Sequence, residues 1–246
     1  MRLHRFYTAE SIDPKHEVKI HSTELMHQIR RVFRLDAGDS VVLFNGTGFD
    51  HECKIDSFDE GSKILGNNCI RLHVTMTKRS RISSKRRLYL CAAIVKKDTF
   101  EWIAEKATEL GVTDIIPVLA ERSEKKSLNE MRLLKIAVEA SEQSGRGDIP
   151  MVHPVMGLAD VGEFLEKNKG IITKIAFHTE GKRLSRKEIH QDSNLAIFIG
   201  PEGGWSESEV EMFHKDGIIL RSLGDQVLRA ETAVIAALSQ VVFDVV

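Results

Sequence analysis

Leu195-Ala196-Ile197-Phe198-Ile199-Gly200-Pro201-Glu202-Gly203-Gly204-Trp205-Ser206-Glu207-Ser208-Glu209 holds a strand, a glycine turn and the start of a helix in one stretch. The run 195–199 is apolar without alternation, as in a strand buried on both faces. Ser206 with Glu209 three residues on is a capping box that opens a helix over Glu207–Lys215. A strand feeding a glycine loop and then a helix is the unit of a parallel sheet covered by helices. Ligands of such sheets sit at the carboxyl ends of the strands.

The same alternation extends on both sides of this stretch. Leu88–Val95 reads as a strand. Asp98 or Thr99 opens a helix whose apolar face is Phe100, Ile103, Ala104, Ala107 and Leu110, closed by Gly111. Val112–Leu119, Ile171–Phe177 and Ile218–Leu220 read as further strands. Ser127 caps a helix to about Ser144, and Ala230–Val245 is a long apolar helix. Residues 88–246 are therefore expected to form an α/β domain. Residues 1–72 are β-rich instead. Val41–Phe44 is a strand before the turn Asn45-Gly46-Thr47-Gly48, and Phe49–Phe58 and Ile64–Val74 follow. One short helix, Glu24–Phe33, is capped by Ser22 or Thr23. This predicts a small barrel or sandwich. Thr75–Arg87 is polar and basic without apolar periodicity, so 73–87 reads as a linker. No internal repeat and no low-complexity segment is present.

Of 246 residues, 42% are hydrophobic and 29% charged, which supports a packed core and excludes wholesale disorder. No apolar run approaches the roughly 20 residues of a membrane helix. Arg2, His4 and Arg5 stand where a signal peptide needs its apolar stretch, which predicts a cytoplasmic protein. Cys53, Cys69 and Cys91 are too few and scattered for a disulfide framework or a zinc site. They read as reduced thiols, and no metal-ligand set appears. Lys plus Arg is 35 against 36 acidic residues, a net charge of −1, which excludes a uniformly basic nucleic-acid coat. The charge is uneven, however. Lys78, Arg79, Arg81, Lys85, Arg86 and Arg87 form one basic run with no acidic residue among them, and Arg30, Arg31 and Arg34 form a second. One helical turn would put His27, Arg30 and Arg34 on a shared face. One such run is ordinarily a solvated face. Two in a near-neutral chain, with Arg5 besides, point to an RNA or DNA partner gripped by its phosphates.

Three loops after strands carry the ligand reading. They are Phe177-His178-Thr179-Glu180-Gly181, Ile199 to Trp205, and Leu223-Gly224-Asp225-Gln226-Val227-Leu228-Arg229-Ala230-Glu231-Thr232. The second is neither a Walker A loop nor Gly-x-Gly-x-x-Gly. A single Gly-Gly is ordinarily a turn. Two glycine loops ending successive strands, with Glu202 in one and Arg229 and Glu231 in the other, make a ligand site the better reading.

Gly200-Pro201-Glu202-Gly203-Gly204 and Leu223-Gly224-x-x-Val227-Leu228-Arg229-x-Glu231-Thr232-Ala233 resemble the RsmE family, the 16S rRNA uridine-N3 methyltransferases of the SPOUT superfamily. The resemblance extends in order through His4-Arg5-Phe6, His27-x-x-x-Arg31-Val32-x-Arg34-Leu35, Glu101-Trp102-x-x-x-Lys106, Arg122-Ser123 and Glu142-Gln143-Ser144-x-Arg146. It departs at His178-Thr179-Glu180, where family members carry a Tyr-Glu-Glu-like string.

The resemblance implies a small PUA-like RNA-binding β-barrel followed by a SPOUT-type α/β domain with a trefoil knot. It implies S-adenosylmethionine held by Phe177, His178, Ile199, Gly200, Pro201, Gly203, Gly204, Leu223, Gly224, Val227, Leu228 and Thr232. It further implies a homodimer acting on 16S rRNA of the small ribosomal subunit. The helix from Ala230 is then either an interface element or monomer core. Arg5, His27, Arg30, Arg34, Arg86, Arg87 and Arg146 are the candidate RNA contacts. Glu142, Gln143 and Arg146 serve equally as a structural network. Uracil N3 must lose its proton before it takes a methyl group. An arginine stays protonated and cannot be the base, but Arg229 can hold the anion spreading onto O2 and O4. Glu231 or Glu202 can take the proton; helix capping and loop bracing are their structural alternatives. The alternative functions are a SPOUT ribose 2′-O-methyltransferase on rRNA or tRNA, and a non-catalytic RNA-binding ribosome assembly factor.

Overall fold

The computed structural model describes residues 3–15, 17–59, 68–82, 86–168, 170, 172–185, 188–189 and 193–243, with Lys97 by backbone alone. Arg2, Lys85, the expected strand start at Ile64 and the helix end at Val245 lie outside these residues. Contacts divide the chain into two compact units. One is Met1–Ser83 with Ser141–Ile149; the other is Ser84–Ala140 with Pro150–Val246.

The first unit is built on a five-stranded sheet of β1 (Arg5–Tyr7), β2 (Val18–Ile20), β3 (Ser40–Phe44), β4 (Phe49–Asp59) and β5 (Cys69–Arg79), in the order β1-β3-β4-β5-β2. β1 runs parallel to β3, and the other pairings are antiparallel. Register shifts at Glu52/Cys53 and Ile55/Ser57 bend the long β4–β5 ribbon. Helix α1 (Thr23–His27), capped by the Ser22 hydroxyl, lays Leu25 and Met26 on the core and runs into a π-helical turn, Gln28–Val32. Two expectations change here. β5 continues to Arg79, so Thr75–Arg79 is strand rather than linker. The helix ends before Arg34, which adopts φ 56° beyond it, so Arg30 and Arg34 are not one helical turn apart.

The second unit has a seven-stranded parallel sheet. Its strands are β6 (Leu88–Ala93), β7 (Asp114–Leu119), β8 (Met151–Val152), β9 (Met156–Gly157), β10 (Ile172–Arg183), β11 (Asn194–Ile199) and β12 (Ile219–Ser222). The order is β12-β10-β11-β6-β7-β8, with β9 also on β7. Alternate β6 residues show why the strands are apolar throughout. Leu88, Leu90 and Ala92 face one core with α2 (Lys97–Glu109), α3 (Glu130–Ser144) and α6 (Ala230–Val242). Tyr89, Cys91 and Ala93 face the other, with α4 (Leu158–Lys167) and α5 (Glu207–Lys215). The three cysteines are unpaired and buried, and burial pushes the Cys53 thiol up to about 12. Such thiols stay protonated and unreactive. Among the described residues no helix is long and apolar enough to cross a membrane.

Candidate functional site

β12, β10 and β11 lie side by side and run the same way, so their carboxyl ends bring three loops together. Between the loops is a cavity of about 360 Å³. Eleven of the twelve residues expected to hold the cofactor line it: Phe177, His178, Ile199, Gly200, Pro201, Gly203, Gly204, Leu223, Gly224, Val227 and Leu228. Thr232 does not; it is exposed on the first turn of α6. Glu202 lines the cavity, as do residues outside the expected set, among them Arg122, Glu180, Trp205, Ala230 and Ala233.

The first loop is a bulge in β10. Phe177 and Lys182 both align with Arg221 of β12, so residues 178–181 leave the ladder between them. Gly181 permits this. A Cβ there would lie 2.5 Å from the Arg221 carbonyl carbon and 2.8 Å from its Cα, and backbone cannot move aside as a side chain can. Within the bulge the Glu180 N–H donates to His178 Nδ1 at 3.2 Å. In a neutral ring this leaves the proton on Nε2.

In the second loop Gly200, Gly203 and Gly204 line the cavity, and Gly200 is also closely packed from behind. A Cβ on Gly200 would come within 3.2 Å of the buried Trp205 indole, and one on Gly203 within 3.4 Å of the Arg122 stem. Trp205 packs edge-on against Phe213 of α5, and its Nε1 is buried without a partner among the described residues. Arg122 Nη1 donates to the Gly203 carbonyl at 2.8 Å. Glu209, the third residue of α5, accepts from Ser206 N–H at 2.8 Å and from Glu121 N–H at 2.9 Å, tying the end of β7 to this loop.

The third loop is closed by Ser222, whose hydroxyl donates to Gly224 O at 2.9 Å and accepts from Gly224 N–H. Behind it Arg221 pairs with Glu188 and holds that carboxyl down at about 2. Arg229 is the N-cap of α6, exposed, and its guanidinium has no hydrogen bond or ion pair among the described residues. Glu231 is half-buried in the first turn. Both flank lining residues, Leu228 and Ala230, without lining the cavity themselves.

The expected RNA contacts separate into two kinds. Arg5 is committed within the first unit, to Asp50 at 2.7 Å and to the carbonyls of Ser141 and Arg146 at 3.0 and 2.7 Å. Arg146 is fully buried and forks onto Asp148. Glu142 accepts from Tyr7 N–H, so this segment is the structural network rather than a ligand contact. In the second unit Arg86 caps the Val241 carbonyl at 2.8 Å. Arg87 forks onto the buried Asp114. Arg5 and Arg146 are corrections, because a phosphate could take these buried guanidinium groups only by leaving their acceptors unpaired; Arg86 is half-buried and Arg87 exposed beside the bonds they make. His27, Arg30 and Arg34 are exposed in the first unit, with the Arg30 guanidinium 5.2 Å from the Phe58 ring centroid. Among the described residues no cluster of three or more His, Cys, Asp or Glu is arranged for a metal.

A family model described as an RNA methyltransferase domain matches residues 83–242. The chain is 31% identical to ribosomal RNA small subunit methyltransferase E of Rickettsia conorii, over 98% of this chain and 96% of that one. It is 30% identical to the same enzyme of Bacillus subtilis, over 89% and 87%. Among solved structures it resembles the ribosomal RNA small subunit methyltransferase E of Neisseria gonorrhoeae bound to S-adenosylmethionine, with TM-score 0.82, 26% identity and coverage of 97% and 96%. It also resembles a putative methyltransferase of Legionella pneumophila with the same bound cofactor, with TM-score 0.83, 28% identity and coverage of 97% and 96%.

Proposed function

Because the chain belongs to the RNA methyltransferase family that includes the ribosomal RNA small subunit methyltransferases E, we propose that it methylates N3 of one uridine in 16S rRNA. It is an S-adenosylmethionine-dependent rRNA methyltransferase of SPOUT-type fold. The atom methylated, an assembled small subunit as substrate, a homodimer and a cytoplasmic location are our reading beyond that.

One observation carries the reading: the cavity formed where three neighbouring strands end. Its lining fits the cofactor. Backbone and the apolar side chains of Phe177, Ile199, Leu223 and Leu228 suit a flat nucleoside, and the carboxylates of Glu180 and Glu202 suit a cation. When bound, S-adenosylmethionine supplies an electrophilic methyl group on a positively charged sulfur. The chain must then remove the N3 proton and hold the resulting anion. Arg229, adjacent in sequence to Leu228 of the lining and without a partner among the described residues, is the anion holder. Glu202, which lines the cavity, and Glu231, two residues beyond Arg229, are the candidate proton acceptors. His27, Arg30, Arg34, Arg86 and Arg87 are the remaining RNA grip. Val242 and Phe243, exposed at the end of α6, support that helix as the homodimer contact.

The test is incubation of the protein with labelled S-adenosylmethionine and small subunits lacking the modification, followed by nucleoside analysis. N3-methyluridine is expected. A 2′-O-methylated nucleoside would transfer the chain to the ribose-modifying class, and no label would leave the assembly-factor reading.

A further inference from the structure

Two carboxylates line the cavity, Glu180 and Glu202, with a single guanidinium, that of Arg122. The reaction as proposed uses the carboxylates and leaves Arg122 without a role. Its position is nonetheless firmly built. Arg122 sits in a turn closed by Ser123 N–H to Ala120 O at 3.0 Å and Ala120 N–H to Ser123 Oγ at 3.3 Å. Glu209 fastens the neighbouring Glu121 N–H, and the Ser208 hydroxyl donates to the Glu121 carboxylate at 3.0 Å. The Arg122 stem lies against Gly203, and Nη1 donates to that residue's carbonyl. One of five donors is thus spent as an anchor. The others have no partner among the described residues. An arginine needed only as a brace gains nothing from lining the cavity. Arg122 is exposed, and a guanidinium held at one edge, with the rest of its fork unspent beside a ligand space, is a seat for an oxyanion with part of its ordering cost met before the ligand arrives.

We propose that Arg122 recognises an oxyanion of the ligand filling this cavity, either the carboxylate at the amino-acid end of the cofactor or a phosphate of the RNA beside the target base. The proposal rests on the reading that the cavity takes S-adenosylmethionine. Its rival is that Arg122 only holds the 199–205 loop in shape.

The experiment compares wild type, Arg122→Ala and Arg122→Lys as full chains. Calorimetry with S-adenosylmethionine and with decarboxylated S-adenosylmethionine separates the carboxylate from the rest of the cofactor. If the carboxylate is the ligand, wild type prefers the carboxylated form by about 10-fold, the range of a charge-assisted hydrogen bond. Arg122→Ala then binds both forms alike, and Arg122→Lys regains part of the preference. If a phosphate is the ligand, the cofactor preference is unchanged by Arg122→Ala. KM for small subunits instead rises about 10-fold at constant kcat, and the salt dependence of RNA binding becomes shallower by about one phosphate contact. Equal weakening of both cofactor forms with unchanged RNA affinity would overturn the proposal in favour of the brace, and so would no change at all. Wild type binding neither form would bring down the cofactor reading itself, and this proposal with it.

Discussion

The two ends of the parallel sheet differ in what their polar groups are doing. At the amino end Asp114 opens β7 with its side chain fully buried. It receives Arg87 Nη2 at 2.8 Å and Nε at 3.2 Å and Thr113 Oγ1 at 2.8 Å, with His153 Nε2 at 2.9 Å. Arg87 also reaches Asn168 and lies over the Tyr89 ring. At the carboxyl end Glu209, Ser222 and the Arg221–Glu188 pair hold the loops in shape, yet Arg229 and most of Arg122 carry donors with no partner among the described residues. Buried charge pairs tolerate no loss of a partner, whereas a site that must bind and release keeps hydrogen-bonding capacity unspent. One end maintains the fold, and the other is available to a ligand.

That division is broken most sharply at Arg229. If it holds the uracil anion, Arg229→Ala loses turnover by about 100- to 1000-fold with an unchanged melting temperature. Single-turnover rates at saturating cofactor together with thermal unfolding check both halves, and a normal rate would remove Arg229 from the chemistry. The opposite signature is expected at the sealed end. Asp114→Ala leaves His153 and the Arg87 fork without their acceptor and should cost about 3 kcal/mol of stability in urea unfolding. Cofactor affinity per folded molecule should stay at the wild-type value. A smaller effect tests the crossing under the first loop. Gly181→Ala must displace either the 178–180 bulge or β12, at about the 1–3 kcal/mol of an overpacked site. Cofactor affinity by calorimetry should fall roughly 10-fold, and retained affinity would mean that the bulge is not part of the site.

The least effect is a pH dependence. Burial alone would raise the Asp114 pKa, but hydrogen bonds from His153 and Thr113 and the charge of Arg87 outweigh it and hold the pKa below the ordinary carboxylate range. A carboxylate depressed in the folded state stabilises above its unfolded value of about 3.9, and the contribution disappears as pH falls through the folded value. The stability difference between wild type and Asp114→Asn should therefore shrink as pH falls below about 4. A difference that persists unchanged below that pH would show that Asp114 is not held ionised.

The second unit was the more legible because its strands are buried on both faces, and runs such as 195–199 need no partner to be recognised. The Ser206–Glu209 box is local and appears in the structure as the spacing implies. Helix α4 has Leu158, Val161 and Leu165 at helical spacing, but its N-cap is Gly157, which offers no capping side chain, and only Asp160 at its third position marks the start, so the sequence alone does not reveal it. The arginines were the least legible. Arg5 and Arg30 are alike as letters, yet one is committed to carbonyls more than 130 residues away and the other is exposed. Long-range contact decides what a guanidinium does, and no spacing records it. Arg122 was visible only within a motif; its bond to Gly203 exists because β7 and β11 are brought to the same end of one sheet.

The first unit draws part of its framework from far along the chain. Arg5 bonds the carbonyls of Ser141 and Arg146, Gly48 N–H bonds Gly147 O, and Gly147 N–H bonds Ile82 O. On the ribosome these partners arrive late. At roughly 5–20 residues per second, β1 to β5 are made several seconds before Ser141–Ile149 emerges. Until then the Gly48 N–H and the Ile82 carbonyl lack their native partners, and Arg5 has only Asp50 and the Phe44 ring. The portion of the protein synthesised first is therefore completed from the middle of the message, and its last bonds form only after β6, α2 and β7 of the second unit have been translated.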